Sequence, residues 1–359
     1  MRPIFTLFFT SLQMLWSVVC FADWNPVILN GIKWTSTNQD IQTIAYTTEV
    51  GISRLPVKYS GGIDTNIDGI IEEGEITRFH DWVSQNVPQN YNGPIALDYE
   101  RPWWDELKAE TITQNRLDQI ISVYVQGLDI ATSIRPEAQW GYYGLPTLRN
   151  TQESWLSQGL SLEPLISNSR ALYPYVYNCT PEKNVTKRIE KHVSEVLREA
   201  RGNIPVYVFI SPTYCGQNKE ERFPIPDEVF LRDANAAMKA KWTDENGIQY
   251  RIKGIVLWDG YKYVNDEDFS TIDLQHKRYF TLLEALTRAW KKAMTGVKVV
   301  TGPALLENAQ KGLPEPNNSG DALRTNRATN NLTGHNRETP NKEQGRVRSG
   351  RVRGNRVEE

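Results

Sequence analysis

Three things are scarce in this chain of 359 residues: cysteine, net charge and long apolar runs. There are three cysteines, and one of them, Cys20, sits at the end of an N-terminal apolar stretch. If that stretch is removed, Cys179 and Cys215 remain, enough for one bridge and not for a disulfide-dense scaffold. Forty-one Lys and Arg face 43 Asp and Glu, a formal charge of -2. So even a balance excludes a nucleic-acid binder driven by counterion release. After the first two dozen residues no apolar run reaches the length of a membrane span.

The start of the chain reads as a secretory signal over residues 1–22. Arg2 supplies the positive end, Ile4 to Val19 is mostly apolar, and Cys20-Phe21-Ala22 closes on the small residues a signal peptidase reads. A retained anchor is the alternative. Secretion is the expectation, and it permits Cys179 and Cys215 either to pair or to stay as two thiols. Asn178, Asn184, Asn317 and Asn331 each open an Asn-x-Ser/Thr pattern for glycosylation.

Aromatics are abundant, with 11 Trp and 16 Tyr. Flat rings stack on sugar faces, and they also fill cores. The stretch that organises the chain is Ile95-Ala-Leu-Asp-Tyr-Glu-Arg-Pro-Trp-Trp104. Neighbouring side chains on a strand point to opposite faces, so Asp98 and Glu100 share one, about 7 Å apart at their Cα atoms. Pro102 stops the strand just beyond them. Two acids at a strand end, followed by Trp103 and Trp104, suit a sugar-cleaving site. They equally suit a pair that caps the next helix.

Upstream, Gly61 to Glu75 follows the calcium-loop pattern D-x-[DN]-x-[DN]-G-x5-E. Asp64, Asn66 and Asp68 hold positions one, three and five. Gly69 takes the sharp turn, Ile70 offers a carbonyl, and Glu75 closes the loop. A structural Ca2+ is the expectation. The alternative is an Asp/Gly-rich turn that caps the following helix.

Around these motifs the chain alternates. Strands are expected at 27–34, 52–59 (weakened by Pro56), 94–100, 139–143, 172–177, 205–211 and 252–258. Helices are expected at 75–87, 111–135, 185–201, 227–241 and 277–294. Such alternation means parallel pairing with crossover helices, and so many units in under 300 residues favour a closed (β/α) barrel of TIM type. Sites in such barrels lie at the C-terminal strand ends, where Asp98, Glu100, Tyr143, Tyr177, Ser211 and Trp258 all fall. The barrel domain is expected over 23–300, with the calcium loop as an insertion at 61–76. Residues 301–359 turn polar and poor in large apolar groups, as in a disordered tail. From Glu315 on, nine Lys/Arg stand against six Asp/Glu, so the tail is basic and the rest of the chain acidic.

Taken together, four segments resemble the hyaluronidase family: Gly93-Pro-Ile-Ala-Leu-Asp-Tyr-Glu-Arg-Pro-Trp-Trp104, Arg135-Pro-Glu-Ala-Gln-Trp-Gly-Tyr-Tyr-Gly-Leu-Pro146, Ala171-Leu-Tyr-Pro-Tyr-Val-Tyr177 and Gly254-Ile-Val-Leu-Trp258. Their order and spacing agree with the family from about residue 75 to 290. The resemblance implies a distorted, seven-stranded barrel and a secreted endo-glycosidase that cleaves beside N-acetylhexosamine with retention. It implies Glu100 as acid/base, Asp98 as orienter of the substrate's acetamido group and Tyr177 as its helper. Trp258 would line the site, with Tyr142, Tyr143, Trp103, Tyr214 and Ser211 as further substrate contacts. Ser211 stands where the family has a second tyrosine, and the family's disulfide framework is absent. An acidic body argues for an N-acetylated glycan in general over hyaluronan in particular. A chitin- or peptidoglycan-directed hexosaminidase and an inactive glycan-binding barrel are the other readings.

Overall fold

The computed structural model describes residues 24–34, 41–146, 155, 158–181, 184–215, 223–261 and 269–294. The expected leader at 1–22 and tail at 301–359 lie outside these residues, as do Asn317 and Asn331. In chain order the elements are β1 (Val27–Asn30), α1 (Ile41–Glu49), β2 (Ser53–Arg54), β3 (Val57–Lys58), α2 (Glu73–Asn86) and β4 (Pro94–Leu97). Then come α3 (Trp104–Lys108), α4 (Gln114–Ile134), β5 (Gln139–Tyr142), α5 (Glu163–Asn168), α6 (Thr186–Ala200) and β6 (Tyr207–Ile210). The last are α7 (Asp227–Lys239), β7 (Trp242–Thr243), β8 (Gln249–Tyr250), β9 (Gly254–Leu257) and α8 (Phe269–Met294).

The chain is α/β with parallel sheets. One sheet runs β2-β1-β9-β6 and another β3-β4-β5; β7 and β8 form a small antiparallel hairpin. The segment expected as one strand at 52–59 is split at Pro56, which has no N–H to give. Its two halves still pair in parallel, β2 with β1 and β3 with β4. The segment 171–177 is interrupted at Pro174 in the same way. It survives as bridges from Tyr173 to Tyr143, from Leu172 to Val206 just before β6, and from Tyr175 to Phe209 in β6.

Alternation sorts the side chains. Leu29, Ala96, Phe209 and Val256 share a buried cluster with Leu55, Ala171, Tyr173, Tyr177 and Tyr207. Their neighbours Ile28, Val208, Ile210, Ile255 and Leu257 pack on the other face, with α6, α7 and α8. Ile95, Leu97, Trp140 and Tyr142 pack with α2, α4 and α5. Strands buried on both faces are what parallel pairing with helical crossovers produces.

Cys179 and Cys215 form a disulfide with their Cα atoms 4.4 Å apart. Asn178 is buried and its amide donates to Asp233 Oδ2 at 2.8 Å, so this sequon is closed to a glycan, whereas Asn184 is exposed. Among the described residues no helix is long and apolar enough to cross a membrane.

One glycine fixes how α4 meets β5. A Cβ on Gly127 would stand 2.1 Å from the Tyr142 hydroxyl oxygen but 3.5 Å from the ring carbon that bears it. Gly127→Ala should therefore lower the melting temperature, since overpacking of about 1–3 kcal/mol outweighs a helix-propensity gain of about 1 kcal/mol. In a Tyr142→Phe background the same change should stabilise. Thermal denaturation of the four proteins checks this, and the same sign in both backgrounds would refute it.

Candidate active site

The site is built at the end of β4. Asp98 donates its backbone N–H to Lys58 O at 2.9 Å, which keeps the chain extended past the last ladder residue. Alternation then places Asp98 and Glu100 on the Ala96 face and Tyr99 on the Leu97 face. Tyr99 does pack in the Leu97 cluster. Asp98 and Glu100 are half-buried and share a hydrogen bond.

Burial pushes the Glu100 carboxyl up to about 7, and the neighbouring Asp98 charge adds to it. Lys108 and Arg101 pull the other way. Burial also raises Asp98, opposed by Lys33 and by the hydrogen bond from Glu100. Water exclusion thus comes first and the like charge second, a ranking the sequence could not supply. The arrangement holds one proton on Glu100 and leaves Asp98 as its acceptor.

Aromatic rings wall this pair. Tyr177 stacks on Trp258 with centroids 5.6 Å apart. Trp104, Tyr143 and Tyr175 lie mutually stacked at 5.7–5.8 Å. Tyr143 and Tyr177 both feel the Glu100 charge, with burial as the main cause of their raised pKa values. Lys108 Nζ stands 4.0 Å over the Trp104 ring, and Lys33 Nζ 4.0 Å over the Tyr59 ring.

Five of the sequence-nominated residues come together: Asp98, Glu100, Tyr143, Tyr177 and Trp258. Others go elsewhere. Tyr142 occupies the opposite face of β5 from Tyr143 and packs against Tyr99 and Tyr124 in the helix-side core. Trp103 turns the same way and donates from Nε1 to the Tyr99 hydroxyl at 3.1 Å, so Trp104 takes the place at the wall. Ser211 is buried and shares its hydroxyl with Thr213 at 3.2 Å. Tyr214 is buried against Phe223 and the α6–α7 core. Sequence reasoning named Trp104 beside Trp103 but chose Trp103 as the substrate contact, and it missed Tyr175 and the cations Lys33 and Lys108. Tyr175 had a signal: it alternates with Tyr173 and Tyr177 on one strand face.

The loop from Gly61 to Glu75 holds itself together. Asp64 accepts from the N–H groups of Gly69 (2.8 Å) and Asp68 (3.3 Å), and Asp68 Oδ1 accepts from the N–H of Ile70 at 2.9 Å. Gly69 turns with φ +89°. Glu75 Oε1 accepts from the N–H groups of Thr65 (2.6 Å) and Asn66 (3.0 Å). Burial opposes ionisation of Glu75, but these bonds with those from Glu72 and the Thr65 hydroxyl outweigh it and lower its pKa. Among the described residues no group of three or more His, Cys, Asp and Glu side chains is arranged to hold a metal ion.

The position of the Glu100 proton can be read directly. Carboxyl titration by 13C NMR should show Glu100 titrating near pH 7, and Asp98→Asn should lower its midpoint by removing the adjacent charge. A midpoint in the ordinary glutamate range in the wild type would contradict the buried pair.

The hyaluronidase family model matches residues 80–223, the span that carries β4, the acid pair and the 171–177 segment. A hyaluronidase of Dolichovespula maculata is 25% identical over 198 residues, covering 40% of this chain and 56% of that protein. A hyaluronidase of Conus consors is 21% identical over 276 residues, covering 67% and 57%. The chain thus spans just over half the length of these relatives. A crystal structure of bee venom hyaluronidase in complex with a hyaluronic acid tetramer aligns over 73% of this chain and 98% of its own, at 15% identity and a TM-score of 0.45. On the sequence matches the chain is similar to hyaluronidases, most clearly over residues 80–223.

Proposed function

We propose that the chain is a secreted, endo-acting glycoside hydrolase that cleaves a hyaluronan-type glycosaminoglycan beside N-acetylhexosamine. The observation that carries this is the pair of acids on one strand face, one of them holding a proton near neutral pH. A retaining glycosidase with an enzymic nucleophile brings two carboxyls from opposite sides of the bond, about 5.5 Å apart. Two acids on one face leave the far side of the sugar unattended, which suits attack by the substrate's own acetamido oxygen. Glu100 then protonates the leaving oxygen and later takes a proton from water. Asp98 accepts from the acetamido N–H and steadies the charge that develops there. Tyr177, with Trp258 stacked on it, and Tyr143 shape the pocket for that ring.

The strand pairings support the barrel reading. Parallel partners run from β1 through 53–58, β4, β5, 171–177, β6 and β9, and β9 pairs again with β1. We read this cycle as the distorted seven-stranded barrel. The cations Lys33, Lys108 and Arg101 beside the acids support an anionic chain over chitin. Three cations thus oppose the two acids here, although the whole chain carries -2. The leader pattern and the single disulfide support secretion.

For the loop 61–75 we propose a structural calcium ion. The oxygens of Asp64, Asn66 and Asp68 and the carbonyl of Ile70 would hold it, and Glu75 would exchange its N–H partners for the ion.

Wild type should release reducing ends from hyaluronan faster than from chitin oligomers. Glu100→Gln should cut the rate by about 10²–10⁴-fold, the usual worth of a general acid. Activity of the wild type should fall as pH rises through about 7, where Glu100 loses its proton. Equal rates for wild type and Glu100→Gln would sink the reading. For the loop, Ca2+ should raise the melting temperature relative to chelator, and coincident melts would count against the ion.

A further inference from the structure

Between the two acids stands a residue that the proposed chemistry does not use. Tyr99 points away from the cleft, is 2% exposed, and is pinned at both ends. Its carbonyl accepts from the Tyr124 hydroxyl at 2.9 Å. Its hydroxyl donates to Asp64 Oδ2 and accepts from Trp103 Nε1 at 3.1 Å. Asp64 is itself 1% exposed and is tied by the N–H groups of Gly69 and Asp68 into the 61–75 loop. The loop touches this network a second time. A Cβ on Gly69 would stand 2.4 Å from the Trp103 ring, so backbone and indole are in direct contact.

We propose that Asp64 is a positioning residue for the reaction: through the Tyr99 hydroxyl it fixes the strand end from which Asp98 and Glu100 project. The proposal rests on the reading of those two acids given above. The physical case is one of leverage. Asp98 and Glu100 lie past the last residue of β4, where ladder hydrogen bonds no longer hold every position. Three consecutive side chains alternate in direction, so any rotation of the Tyr99 peptide units swings both carboxyls together. A carboxylate accepting a phenolic hydrogen bond in a buried setting is a stiff tether, because charge-assisted bonds are the strong ones. Misplacing a catalytic group by about 1 Å can cost about 100-fold in rate. Asn at position 64 keeps the size but loses the charge, and Phe at 99 keeps the ring but loses the tether. The pattern that marked this loop as a cation site thus has a second use, as a buttress behind the acids.

The test uses the full chain with hyaluronan as the probe. Asp64→Asn, Tyr99→Phe, the double variant and Glu100→Gln are compared with wild type for kcat, KM and melting temperature, all below the lowest melt. Each single tether variant should lower kcat about tenfold or more with KM changed less than about twofold, a loss within the range of a displaced catalytic group. The double variant should be no slower than the slower single, because both changes cut one path. Tyr99→Phe leaves every loop oxygen in place, so its effect cannot come from calcium. Crystal structures of Tyr99→Phe and wild type give a readout independent of turnover, and the Asp98 and Glu100 carboxyls should be displaced in the variant. If the tether variants melt lower but keep wild-type kcat, or if the carboxyls do not move, Asp64 only stabilises the loop and the proposal is overturned. If Glu100→Gln is as active as wild type, it is the assignment of the acids that fails, and the displaced or unmoved carboxyls still decide the role of Asp64.

Discussion

The structure depends on the burial of two carboxyls side by side at the end of β4. Ionising either one there costs free energy and ionising both costs more, so the pair keeps one proton until the pH rises through about 7. Everything near them serves that arrangement. The β3 carbonyl of Lys58 keeps the strand extended, the aromatic wall excludes water, and Lys33 and Lys108 set how far each acid's pKa can rise. Without the wall, the Glu100 proton would be lost well below neutrality and the site would hold two anions.

The strand's two-residue period does the sorting. On one face Ala96, Asp98 and Glu100 lead into the cleft; on the other Ile95, Leu97 and Tyr99 fill the core beneath α2 and α4. The same rule separates Tyr143 at the wall from Tyr142 in the core. Net charge, by contrast, does not say where the charges sit. A chain that is slightly acidic overall places Lys33, Lys108 and Arg101 against the acids.

Much of this was legible in the residues. The strand carrying Asp98 and Glu100, the long α4 and the amphipathic α6 follow from apolar spacing, whereas the residues left open whether Cys179 and Cys215 pair, and the structure joins them. The misses have physical reasons. Helix α1 buries Thr43 and Thr47 rather than an apolar stripe, and its N–H groups at Gln42 and Thr43 are capped by Asp273 on α8, some 230 residues away. No local pattern announces such a cap. Trp103 and Trp104 could not be told apart, because Pro102 ends the strand and its alternation with it. Lys33 becomes a site residue only when the end of β1 is brought beside the end of β4, and Lys108 only through the placement of α3. Tyr142 was the avoidable error, since adjacent residues of one strand cannot both face the same cleft.

The most direct test of the central claim asks which atom attacks the sugar. Hyaluronan oligosaccharides whose N-acetyl groups carry one, two or three fluorines present a progressively poorer carbonyl nucleophile without changing the leaving group. If the acid pair works by letting the substrate attack itself, kcat falls steadily with each added fluorine and the first product has the retained configuration. A kcat indifferent to fluorine would assign the attack to an enzyme side chain or to water, and would contradict the account.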